Sequence, residues 1–189
     1  MAPILGIIAS SKLVSTDYFY SISTQTLSSA SGGITISSIP QTYKHLQLHI
    51  FVKSDRGDNL DGMTCYFNST SASSIYGTAG LYTEATAASL AIAGGSYGNS
   101  NFSLAYIPGG NVTSQFSSWI IDIYNYSSTT KNKSFTYLGG YSRSGSYGNM
   151  GVGSGAYGST SAITSIIINP TYGGQFIAGS QFALYGIAG

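Results

Sequence analysis

Apolar side chains in this chain recur at every second residue, in short runs broken by Gly, Ser and Asn. This is the feature that most limits what the chain can fold into. A period of two puts the apolar set on one face of an extended strand, whereas an amphipathic helix needs a period near 3.6. The clearest run spans Tyr43 to Lys53. Leu46, Leu48, Ile50 and Val52 share one face, and His45, Gln47, His49 and Lys53 line the other, interrupted by Phe51. Tyr18, Tyr20 and Ile22 alternate in an earlier run, Ile34 and Ile36 follow the Ser31-Gly32-Gly33 turn, and Met63, Cys65 and Phe67 alternate with Thr64 and Tyr66. Further runs cover 102–107, 116–126, 134–138, 163–168 and 175–187. Only 83–93 is Ala-rich enough to suggest a helical turn, and a loop or strand fits it equally well. The Gly-rich stretch 139–158 reads as turns and interrupted strand.

Many short strands with frequent turn signals predict an all-β chain with little or no helix. A sheet must cover its apolar face with a second layer, so the expected architecture is a two-sheet antiparallel β-sandwich of jelly-roll or Greek-key type. Its expected core includes Leu46, Leu48, Ile50, Val52, Trp119, Ile121, Ile123, Phe182 and Leu184. A length of 189 residues suits one such domain. The domain is expected to span 12–189, preceded by an apolar arm at 1–11 that carries Ile4, Leu5, Ile7 and Ile8. The arm lacks the positive n-region of an export signal. It reads either as a partner-binding segment or as the first strand of its own sandwich.

Composition excludes several function classes. Charged residues make up 7% and the net charge is +1, so no field exists to steer nucleic acid or an anionic membrane surface. No apolar run approaches the roughly 18 residues of a membrane helix. The single Cys65 excludes an internal disulfide or a thiolate metal cluster. His45 and His49 would meet as ligands on a helix, but in a strand they stand roughly 13 Å apart, too far to share one metal ion. Gly151-Val152-Gly153-Ser154-Gly155 has the wrong register for a nucleophile elbow. The acidic segment Asp55-Arg56-Gly57-Asp58-Asn59-Leu60-Asp61-Gly62 lacks the ligand spacing of a calcium loop and reads as a hairpin connection. Asp122, among Ile120, Ile121 and Ile123, would need a partner such as Lys131 or Lys133 if it faced inward. No catalytic, cofactor or metal site is expected, and the chain does not read as an enzyme. Five Asn-x-Ser/Thr sequons follow from a composition rich in those residues. Six Tyr-Gly pairs read as strand ends closing into turns, or as a rim of exposed tyrosines. Tyr97, Tyr147 and Tyr157 are the surface-contact candidates on the second reading.

Ile39-Pro40-Gln41-Thr42-Tyr43-Lys44-His45-Leu46-Gln47 resembles the opening strand of small virion structural proteins of tailed bacteriophages, of the marine and cyanobacterial type. Ile121-Asp122-Ile123 with Tyr126 and Lys131-Asn132-Lys133 is similar to their central strand and turn. Ser161-Ala162-Ile163-Thr164-Ser165-Ile166 and Phe182-Ala183-Leu184-Tyr185-Gly186-Ile187 resemble their closing strands, and Ile4 to Ser11 their start. The resemblance implies a non-enzymatic virion protein, foremost a capsid decoration (cement) protein on the head exterior. A tail-fibre or tail adaptor subunit is the alternative. It implies a capsid or tail protein as partner. The apolar arm, which needs cover, predicts a homo-oligomer, and the resemblance favours a trimer. A carbohydrate-binding module that uses exposed tyrosines on a host surface glycan is the rival from another class.

Overall fold

The alternating run at 45–52 becomes an inner strand of a large antiparallel sheet. The computed structural model describes residues 18–68, 75–84, 90–142 and 148–189. In chain order the strands are β1 (Phe19–Thr26), β2 (Ile34–Ile36), β3 (His45–Val52), β4 (Leu60–Phe67), β5 (Tyr76–Glu84), β6 (Leu90–Asn99), β7 (Phe102–Pro108), β8 (Ser117–Tyr124), β9 (Lys133–Ser142), β10 (Gly148–Tyr157), β11 (Ile166–Pro170) and β12 (Gln181–Ile187). No helix occurs among the described residues, as the absence of a 3.6-residue period requires.

Two sheets form, ordered β1-β12-β3-β8-β9-β10-β5-β6 and β2-β11-β4-β7. Eight of the strands pair first half with second half in reverse order: β1 with β12, β2 with β11, β3 with β8 and β4 with β7. A two-stranded ribbon is thereby rolled up, closed by β12–β3 in one sheet and β11–β4 in the other. This is a jelly roll. The remaining four strands are two insertions, β5–β6 between β4 and β7, and β9–β10 between β8 and β11. Both extend the larger sheet beyond β8, so the sandwich is lopsided.

Leu46, Leu48, Ile50, Val52, Trp119, Ile121, Ile123, Phe182 and Leu184 are all buried, facing Ile34, Ile36, Met63, Cys65, Ile166 and Ile168 of the smaller sheet. Under the extension the core turns aromatic. The Phe67 ring lies 5.3–5.9 Å from those of Tyr76, Phe102, Phe135 and Tyr157.

The blocks that carry the phage-protein resemblance converge on one side of this core. Tyr126 donates its hydroxyl proton to the Pro40 carbonyl, and its own carbonyl accepts from Ile163 N–H at 2.8 Å. Gln41 Nε2 donates to the carbonyls of Ile39 and Ile163 at 2.7 and 3.0 Å. Buried Lys133 donates from Nζ to the carbonyls of Ser159 and Ser161 at 3.2 and 2.6 Å. The Tyr43 ring covers Gly186, where a Cβ would sit 2.3 Å from it. These residues pin chain segments that are distant in sequence, so the blocks carry packing and backbone satisfaction rather than chemistry.

Three sequence expectations are corrected. The stretch 139–158 is mostly strand: Gly139 and Gly140 lie in β9, and Gly148, Gly151, Gly153 and Gly155 in β10. Glycine has no side chain to display alternation, which hid both β10 and the length of β9. The run at 163–168 begins as strand only at Ile166, because Ile163 N–H turns to Tyr126. The run at 175–187 begins as strand at Gln181. Phe176 before it makes isolated bridges to Ser31 and Ser54.

Candidate interaction surface

The outward face of the large sheet is where the molecule departs from an ordinary solvated surface. Strand pairing aligns its outward residues into rows across six strands. One row reads Ala183, His49, Ile120, Leu138, Val152 and Leu81. Four consecutive members are aliphatic and exposed: Ile120 39%, Leu138 55%, Val152 38% and Leu81 40%. Met150, 49% exposed, stands two residues from Val152 and thickens this ridge. Scattered apolar residues on a surface need no explanation, but a contiguous row does.

Beside the ridge, on β10 and β5, the outward positions are Ser154, Ala156, Ala79 and Gly77. Small side chains leave a trough there of about 460 Å³ that also reaches Ile75 and Gly98. At the other end of the face lie aromatic rings. Phe51 stacks on Phe116 at 4.8 Å, and His49 meets Tyr185 edge-on at 5.1 Å.

Among the described side chains charge is nearly absent from this face. Asp122 is the one carboxylate among them, and it accepts a hydrogen bond from Gln47 Nε2 at 2.8 Å; Gln47 Oε1 is 2.7 Å from His49 Nε2. The condition under which Asp122 would need Lys131 or Lys133 is not met: alternation sends Ile121 and Ile123 inward, and Asp122 and Ile120 outward. Lys133 is the inward residue, two carbonyls serving as its partners in place of a carboxylate.

His45 and His49 have different partners. His45 Nδ1 accepts the Asn125 N–H at 3.1 Å, and burial holds its pKa below 6.5, with Lys44 adding to the shift and Asp122 opposing it. The unfolded chain therefore binds a proton at a higher pH than the folded chain, and stability is lost as pH falls through 6.5. The midpoint of urea unfolding should drop between about pH 7.5 and pH 5, and the drop should shrink in His45→Gln. An equal drop in the variant would assign the effect elsewhere.

The acidic loop is not a hairpin connection, because β3 and β4 lie in different sheets, and its carboxylates are tied to the protein itself. Asp61 is buried, accepting from the Ser54 hydroxyl at 2.6 Å and Tyr172 N–H at 2.9 Å. Asp55 accepts from Gln175 N–H, and Asp58 from Asn59 N–H while pairing with Arg56 at 3.2 Å. Among the described residues no group of three or more His, Cys, Asp or Glu could hold a metal ion, and no helix is long and apolar enough to cross a membrane. Burial pushes the Cys65 thiol up, away from the reactive thiolate.

Of the tyrosine candidates, Tyr157 is buried at the end of β10 against Tyr76 and Phe67. It is not a surface contact, because its inward register places it in the aromatic core. Tyr97 falls in β6, where only the course of the backbone is described, and Tyr147 lies outside the described residues, as do Ile4, Leu5, Ile7 and Ile8. The ridge itself was missed. Its signal was Ile120 and Leu138 standing out of phase, each on the polar face of its own strand. No family model, no curated protein and no solved structure matches this chain.

Proposed function

We propose that this chain is a non-enzymatic structural protein of a bacteriophage virion, a capsid decoration protein that works by assembly. The observation that carries the assembly part is the nearly uncharged outward sheet face with its aliphatic ridge. Depletion of charge around apolar and aromatic residues is the compositional mark of an interface core. The phage part rests on the sequence blocks at 39–47, 121–133, 161–166 and 182–187. A rigid jelly roll supports this reading, since a block that cements neighbours needs a fixed shape. The arm at 1–11 offers a further apolar segment to a receiving capsid or tail protein. A tail-fibre or adaptor position is the alternative within the same class. Sugar binding through a tyrosine rim loses support with Tyr157 in the core.

The test is immuno-electron microscopy and quantitative mass spectrometry on purified particles from the genome that encodes this chain. Stoichiometric copies on the head exterior are the expected result. Label confined to the tail would move the protein there. Absence from purified particles, with the protein abundant in the infected-cell lysate, would overturn the reading.

A further inference from the structure

We infer that the outward face of the large sheet is the contact between two copies of this chain, with the ridge of each seated in the trough of the other. This rests on reading that face as an assembly surface, and it names the partner. Three observations select a second copy. The first is shape. Sheets packed face to face lie about 10 Å apart, so large side chains on one must meet small ones on the other. Ile120, Leu138, Val152 and Leu81 form the large set, while Ser154, Ala156, Ala79 and Gly77 form the small set on the same face. A ridge and its matching trough on one surface are self-complementary, as an isologous two-fold contact requires.

The second observation is charge. Asp122 is the one carboxylate among the side chains described on the face and is already held by Gln47, so these side chains of two copies meet without a cluster of like charges. A strongly charged partner would find nothing to pair with. The third is area. Six strands of about eight residues make a face of roughly 29 by 26 Å, or about 750 Å². A stable protein interface takes about 800 Å² from each partner. The patch therefore matches what a dimer needs, without calling on the smaller sheet. A two-fold pair differs from the trimer that the phage-protein resemblance implies.

Sedimentation equilibrium on the full chain from about 1 to 50 μM, a range that brackets micromolar affinity, tests this directly. The wild type should show twice the 19.7 kDa chain mass. Leu138→Glu should convert it to monomer, with its circular dichroism and melting curve at low concentration kept, because this side chain is more than half exposed. Ser154→Trp should also give monomer, since it fills the trough while leaving the ridge intact. A control substitution, Tyr18→Ser, removes an exposed apolar ring that is not on the ridge and should leave the dimer unchanged. A monomeric wild type, a trimer, or a dimer that survives Leu138→Glu would overturn the inference. A dimer lost with Leu138→Glu but kept with Ser154→Trp would overturn the ridge-in-trough contact. The two proposals fail separately. A dimer absent from purified particles would sink the virion reading alone, and a monomer that decorates heads would sink this one alone.

Discussion

Phe67→Ala is expected to lower the free energy of unfolding by about 3–5 kcal/mol, the usual cost of truncating a fully buried aromatic residue. Phe67 ends β4 in the smaller sheet, and its ring touches the larger sheet through Tyr76, Phe135 and Tyr157 and its own sheet through Phe102. Its removal takes away the piece that joins the jelly roll to its extension. The hole is not readily refilled, because Phe102 and Phe135 are already in contact at 4.2 Å and Tyr76 is held by accepting the Phe67 N–H at 2.6 Å. Against a total stability of about 5–15 kcal/mol, this brings the variant near its unfolding midpoint at the lower end of that range. Urea denaturation of both proteins measures it. A loss below about 1 kcal/mol would mean that the five rings do not pack as one cluster.

Gly155→Val is expected to destabilise by about 3 kcal/mol, the upper end of the usual range for overpacking. Strand propensity alone says the opposite, since valine is preferred over glycine in sheets. Sterics decide the sign. A Cβ at 155 would stand 2.2 Å from the Phe135 ring across the β9–β10 pair and 2.8 Å from the Gly77 carbonyl oxygen. Phe135 cannot swing away without leaving Phe67 and Phe102. The double variant Phe135→Ala/Gly155→Val should cost clearly less than the two single losses added, because truncating the ring makes room for the new methyls. Strict additivity, or a stabilised single variant, would show that the glycine is not there to receive the ring. The same ring-on-glycine pairing recurs at Trp119 with Gly139 and at Tyr137 with Gly153 and Gly80. It accounts for the glycine content of the extension better than turns do.

Alternation in the amino-acid sequence was sufficient for the class of fold and for the faces of the regular strands. Where side chains alternate fully, as in 45–52, each inward residue follows from its parity, because burial of one face leaves a strand no freedom to slip by one residue. The absence of helix followed from the missing 3.6-residue period. Tertiary structure decided everything that depends on which strands become neighbours. Glycine carries no alternation, which hid the far half of β9 and all of β10, where the rings of Trp119, Phe135 and Tyr137 lie over Gly139, Gly155 and Gly153. Tyr157, a surface-contact candidate, lies inside because its register in β10 sets it opposite Tyr76 in the aromatic core. The ridge is the furthest case. Ile120, Leu138, Val152 and Leu81 come from four separate strands; Ile120 and Leu138 are out of phase in their own runs, and Val152 and Leu81 sit in glycine-rich stretches with no run to read. Only the order β8-β9-β10-β5 sets them side by side and turns them into one surface.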